Sequence, residues 1–211
     1  ICSLAFTTQA QVQFKISLTD ENQTYVVSMI PQVSWQTPLN LTSTAQVTIK
    51  APQGTLEPIN IENLQANTSW ESNSRINAPD EAPEFDYISF ALTSLGTAGL
   101  TFEKGTEIAL FSFQNANPCP GKVYLLNNET DPFMPPNSRK ANIGNQMTTL
   151  GAQGEAYSGI VGTGVVDCLV STSETFLDKT EFTLHPNPAV SFVQLEFNWE
   201  MPAENVNIAL R

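Results

Sequence analysis

Histidine occurs once in this chain, at position 185, and cysteine three times, at 2, 119 and 168. One imidazole directly ahead of Pro186-Asn187-Pro188 is a poor basis for a Ser-His-Asp or Cys-His arrangement. Isolated cysteines without paired spacing do not make a zinc site. Positive charge is scarce as well: nine Lys and Arg stand against 21 Asp and Glu, a net charge of −12. Such a surface repels phosphate backbones and anionic membranes, so nucleic acid is not an expected partner. No apolar run is long enough to cross a bilayer as a helix. The glycine-rich "GIVGTGV" is followed by neither a helix pattern nor Lys-Ser/Thr, so it does not cradle phosphate. No helical stripe of useful length is present either; only Ile59 to Gln65 has the spacing for a single turn.

What is abundant is apolar, aromatic and uncharged-polar. Twelve Phe, three Trp and four Tyr can build a core, while only 14% of residues are charged. Val12, Phe14, Ile16 and Leu18 alternate with Gln13, Lys15 and Ser17. After the polar block "TDENQ" the period of two resumes at Tyr25, Val27 and Met29, the signature of a hairpin. Val47 and Ile49 mark another strand, closed by Pro52 and Gly54, and Ile88, Phe90 and Leu92 a further one. "EIALFSF" (107–113) and "KVYLL" (122–126) are apolar on both faces and predict central, doubly covered strands. Loops dense in Pro, Gly and Asn separate them. The expected fold is all-β, a β-sandwich or jelly roll.

Residues 1–10, "ICSLAFTTQA", carry no charge and end on a small residue, as the tail of a secretory signal peptide does; an ordinary first strand is the alternative. With Cys2 in such a leader, Cys119 and Cys168 remain as an even pair, read either as a disulfide of an exported protein or as two buried thiols.

Two kinds of binding site suggest themselves. Asp80, Glu81, Glu84 and Asp86 cluster in one Pro-rich loop, and Asn127, Asn128, Glu129 and Asp131 in another. Both offer hard oxygen ligands to calcium, or Asx-type turns that bond their own backbone; neither has EF-hand spacing. No other cofactor is indicated. Trp35, Trp70 and Tyr87 fall near strand ends or loops, where they could stack on sugar rings or pack into the core.

The pattern loosens into Gly, Ser and Thr from Gly151, and residues 171–180 read as a linker. Beyond His185-Pro186-Asn187-Pro188, a stretch no central strand accommodates, Val193, Leu195, Phe197 and Trp199 alternate cleanly with polar residues. "LHPNPA", followed by "VQLEF" and "VNIAL", resembles the opening of the C-terminal sorting domain of type IX secretion substrates from the Bacteroidota. Leu184, His185, Pro186, Asn187, Pro188 and Ala189 occupy that motif, with His185 at its variable position. The resemblance covers about the last 30 residues and implies a truncated second small β-sandwich over 181–211, which presents folded cargo to the outer-membrane translocon. More loosely, "EAPEFDYISFAL", "GTEIALFSFQN", "CPGKVYLLNNETDPF" and "GNQMTTLGAQGEAYSG" make residues 11–170 similar to cohesin-like sandwiches, a fold related to carbohydrate-binding modules. The resulting expectation is a secreted or surface-attached, non-catalytic binding or scaffolding protein. A carbohydrate-binding module of a larger system and a self-assembling surface adhesin subunit are the alternatives.

Overall fold

Alternating hydrophobicity does at the start of the chain what it predicts. Val12, Phe14 and Ile16 are buried on one face of β1 (Val12–Thr19), and Tyr25, Val27 and Met29 on one face of β2 (Thr24–Pro31). The two strands pair antiparallel in unbroken register from Val12↔Pro31 to Thr19↔Thr24. The computed structural model describes residues 11–19, 24–93, 98–168, 182–185 and 194–197. Further strands are β3 (Leu41–Pro52), β4 (Pro58–Asn63), β5 (Trp70–Asn77), β6 (Phe85–Leu92), β7 (Ala98–Gly99), β8 (Ile108–Asn115), β9 (Lys122–Leu125), β10 (Gln146–Thr149), β11 (Gly154–Glu155), β12 (Tyr157–Ile160) and β13 (Val165–Asp167). The described residues contain no helix.

Two units divide the chain, Ile1–Ser171 and Thr172–Arg211. In the first, one sheet runs β12-β1-β2-β8-β4 and the other β11-β10-β3-β6-β5. The 12-residue β3 is long enough to take two neighbours on each side: β7 and β6 along one edge, β10 and β9 along the other. β13 then pairs with β9. The sheets share one core, and aromatic rings join them. Phe90 of β6 lies 5.0 Å from Phe111 and 5.2 Å from Phe113 of β8, and Trp70 of β5 lies 4.8 Å from Phe111. Removing one such ring typically costs about 3–5 kcal/mol. The fold is all-β and β-sandwich-like.

β8 is apolar on both faces, as expected, but sits beside the edge strand rather than at the centre. Its pairing shifts between Val27↔Phe111 and Ser28↔Ala109, so Leu110 is bulged and buries alongside Phe111. Ile59 to Gln65 is not a helical turn. Residues 58–63 form edge strand β4, paired with β8 through a register shift. Ile61 packs against the core while Ile59, two residues earlier, stays exposed; Asn60 between them has φ 50°, and the irregular pairing there puts the two isoleucines in different environments. The loosened stretch after Gly151 contains β11, β12 and β13.

A second, smaller core lies on the other face of the β3–β6 pair. Tyr87, Leu126, Phe133 and Ile143 are buried together there, under the strandless segment 126–145. This explains why β3 and β6 are buried on both faces. Asp131 anchors the cover. Its Oδ2 lies 2.6 Å from Lys50 Nζ, and its Oδ1 accepts hydrogen bonds from Tyr87 O–H (3.0 Å) and Phe133 N–H (3.0 Å). Only 1% of the Asp131 side chain is exposed, against 17% of Lys50. A carboxylate so placed is tolerable only with its partners present. Burial and the facing Asp131 charge push the Tyr87 phenol far above its ordinary range, so it remains a donor.

In the second unit, β14 (Phe182–His185) pairs antiparallel with β15 (Gln194–Phe197), from Phe182↔Phe197 to His185↔Gln194. Leu184 and His185 therefore lie on β14. Pro186, Asn187, Pro188 and Ala189, the leader expected at 1–10 and the linker expected at 171–180 lie outside the described residues.

Cys119 and Cys168 are bonded, with Cα atoms 5.7 Å apart. They tie the end of β13 to the turn that enters β9, where Cys168 N–H also donates to Gly121 O (3.2 Å). At a sequence separation of 49, loop closure contributes about 4 kcal/mol through the unfolded chain. Reductant should lower the melting temperature by several degrees, and a Cys119→Ser/Cys168→Ser variant should melt at the reduced value with or without reductant. Equal melting of the native chain in both conditions would contradict the assignment.

Candidate functional site

A cleft of about 860 Å³ lies where β12 meets the loop that follows β9. β12 is held parallel to β1, with Gln11 and Val12 N–H both donating to Ala156 O. Tyr157 packs on Phe14, centroids 5.0 Å apart, and Ser158 Oγ donates to Val12 O (2.9 Å). The chain then turns through Gly162 and Gly164, both at positive φ. At Gly164 a Cβ would also crowd the tip of Ile160, 2.8 Å from its Cδ1, adding to the preference that the positive φ already gives glycine.

The opposite wall is Asn127, Asn128 and Glu129. Asn127 Oδ1 accepts the Glu129 N–H (2.9 Å), an Asx turn. Asn128 bonds Asn145 in both directions: its Nδ2 donates to Asn145 O (2.8 Å) and its Oδ1 accepts Asn145 N–H (2.9 Å). Asn145, buried beneath, ties the walls to the sheet. Its Oδ1 accepts Thr48 N–H (2.7 Å), and its Nδ2 donates to Leu126 O (2.7 Å) and Tyr157 Oη (3.3 Å). Burial raises the Tyr157 phenol above its ordinary range, so it faces the cleft neutral.

The lining thus presents amides from Gln13 and Asn127, hydroxyls from Tyr157 and Thr163, and one exposed carboxylate, Glu129. No imidazole or thiol is among the lining residues, and the Ser158 hydroxyl is directed to a backbone carbonyl rather than a base. Chemically, the arrangement exchanges hydrogen bonds with a polar ligand; it contains no activated nucleophile.

The sequence-predicted site residues are distributed differently. Trp70 and Tyr87 are 2% and 1% exposed and belong to the two cores, so neither offers a ring face to a sugar. Trp35 is partly buried against Phe102, centroids 5.0 Å apart. Nor do the acidic loops converge. Asp86 is buried and accepts Gly54 N–H (2.8 Å) and Ala78 N–H (3.1 Å). Glu81 accepts the amide and hydroxyl of Ser138, and that amide chiefly holds its carboxyl below the usual range. Asp80 and Glu84 are exposed. Asn127, Asn128 and Glu129 line the cleft, whereas Asp131 turns inward to Lys50. Among the described residues no three acidic, histidine or cysteine side chains are grouped as a metal would require.

Gln13, Tyr157, Ser158 and Thr163 were not predicted as site residues. For Tyr157 and Ser158 the only signal is the short segment "EAYSGI", whose meaning depends on β1, more than 140 residues away; Gln13 reads only as a polar position of β1, and Thr163 as part of a glycine-rich turn. No protein-family model, curated protein or solved structure matches this chain.

Proposed function

We propose that this chain is an exported, non-catalytic binding protein whose cleft between β12 and the 127–129 loop takes a neutral, hydroxyl-rich ligand, a glycan segment. The observation that carries the reading is the lining itself: side-chain amides, hydroxyls and a neutral phenol around about 860 Å³. Such groups pair with sugar hydroxyls, which both donate and accept. The net charge of −12 disfavours anionic ligands, and Glu129 adds an acceptor at the rim. Sugar recognition here rests on hydrogen bonding at an edge, not on the aromatic platform that Trp35, Trp70 and Tyr87 would have formed. The cohesin-like refinement of the fold belongs to the same reading and rests on the segments that resemble that family.

Export rests on the resemblance of Leu184–Ala189 to the type IX sorting motif. The translocon would be the partner of the second unit, and the binding unit would act outside the cell or on its surface. A disulfide between Cys119 and Cys168 suits an oxidising compartment.

Titration of neutral oligosaccharides into the full chain should show saturable binding, weakened about tenfold or more by Asn127→Ala combined with Gln13→Ala, at unchanged melting temperature. Absence of binding across a broad panel of neutral glycans would remove the ligand assignment. In a bacterium with the type IX system, replacing Pro186 and Pro188 by Ala in the full-length gene product should leave it in the periplasm. Undiminished appearance outside the cell would remove the export assignment.

A further inference from the structure

Lys50 and Asp131 are 81 residues apart in sequence, yet their side chains meet with Nζ 2.6 Å from Oδ2. What surrounds the pair is unusual for an ion pair. Lys50 Nζ sits 4.7 Å from the Phe85 ring centroid and within 5.9 Å of the Tyr87 and Tyr124 centroids, so aromatic rings replace its water. Asp131 directs Oδ1 away from the lysine, at two donors: Tyr87 O–H and Phe133 N–H, each 3.0 Å away. Two donors on one oxygen and an amine on the other are the parts needed for acyl transfer to nitrogen. The geometry points to an intramolecular isopeptide bond between Lys50 Nζ and Asp131 Cγ, formed by the folded chain itself.

The step balances without any external reagent. The Lys50 ammonium gives one proton to Oδ2, leaving a neutral amine beside a neutral carboxyl. The amine lone pair attacks Cγ, and the negative charge of the tetrahedral intermediate develops on Oδ1, facing Tyr87 O–H and Phe133 N–H. A second nitrogen proton passes to Oδ2, the Cγ–Oδ2 bond breaks, and water leaves. One C–N bond has formed, one C–O bond has broken, and nothing is oxidised or reduced. Lys50, 17% exposed, marks the opening through which water departs.

Two features favour this outcome over a permanent ion pair. Replacing two buried charges by a neutral amide relieves their desolvation penalty, while Tyr87 and Phe133 keep their acceptor as the amide carbonyl. Asp131 is followed by Pro132, whose nitrogen carries no hydrogen. The common competing dehydration of aspartate, attack by the next backbone amide to give a succinimide, is therefore closed at this position. The bond would join β3 to the cover segment permanently, beside a disulfide that does the same for β9 and β13.

Intact-mass spectrometry of the full chain, reduced and alkylated, tests the proposal. The expected mass is lower than that of the sequence by one water, and digestion should yield a branched peptide joining the Lys50 and Asp131 segments. Lys50→Arg should restore the sequence mass, and Tyr87→Phe should slow formation by about a hundredfold. A native chain at full sequence mass with the two segments recovered separately overturns the proposal, whatever the variants do. Loss of water without the branched peptide overturns it as well.

Discussion

One carboxyl group, that of Asp131, determines how much of this protein can be ordered. Its two oxygens are shared among an amine on β3, a phenol on β6 and the backbone of its own loop. Because a lone buried carboxylate is costly, each contact supports the other two. With them, residues 126–145 close over the outer face of the second sheet despite having no strand of their own. Without them, Tyr87, Ser89 and Thr48 would be exposed on a face that the remainder of the sheet leaves bare. The main core between the sheets, joined by Phe90, Phe111 and Trp70, depends less on any one group, because many apolar contacts share the load.

The cover also makes the cleft. Asn127, Asn128 and Glu129 stand at its first turn, and Asn145 at its end fastens them to Thr48 below and Tyr157 beside. A loop held at both ends by buried hydrogen bonds presents its polar groups in fixed positions, which lowers the ordering cost of binding. The sequence shows the origin of this arrangement: a run rich in Asn and acidic residues splits, part facing solvent as a cleft wall and part facing inward as an anchor.

That split marks the limit of what was legible in the chain. The β1–β2 hairpin could be read outright, because a period of two with one face apolar needs no knowledge of the partner. Counting left Cys119 and Cys168 as either a disulfide or two buried thiols, and the fold decides for the bond. The sites did not follow. "NNETD" can be read as calcium ligands or as Asx turns; Asn127 does make such a turn, but Asp131 faces Lys50, 81 positions earlier, and only the fold brings those two together. Trp70 and Tyr87 could be read as stacking rings or as core, and the fold decides for core: Trp70 opens a strand over Phe111 and Tyr87 lies under Phe133. The spacing from Ile59 to Gln65 allowed a single helical turn, and pairing of residues 58–63 with β8 made it an edge strand instead. In each case a long-range partner outweighed the local pattern.

Hydrogen exchange measured residue by residue on the full chain tests the closure of the outer face most directly. The amides of Thr48, Phe133 and Asn145 donate to the side chains of Asn145, Asp131 and Asn128. They should exchange as slowly as the ladder amides between β2 and β8, since they would open only with the whole unit. Exchange of Phe133 and Asn145 at the rate of exposed loop amides would show the cover to be open, and the account of both the anchor and the cleft would fail.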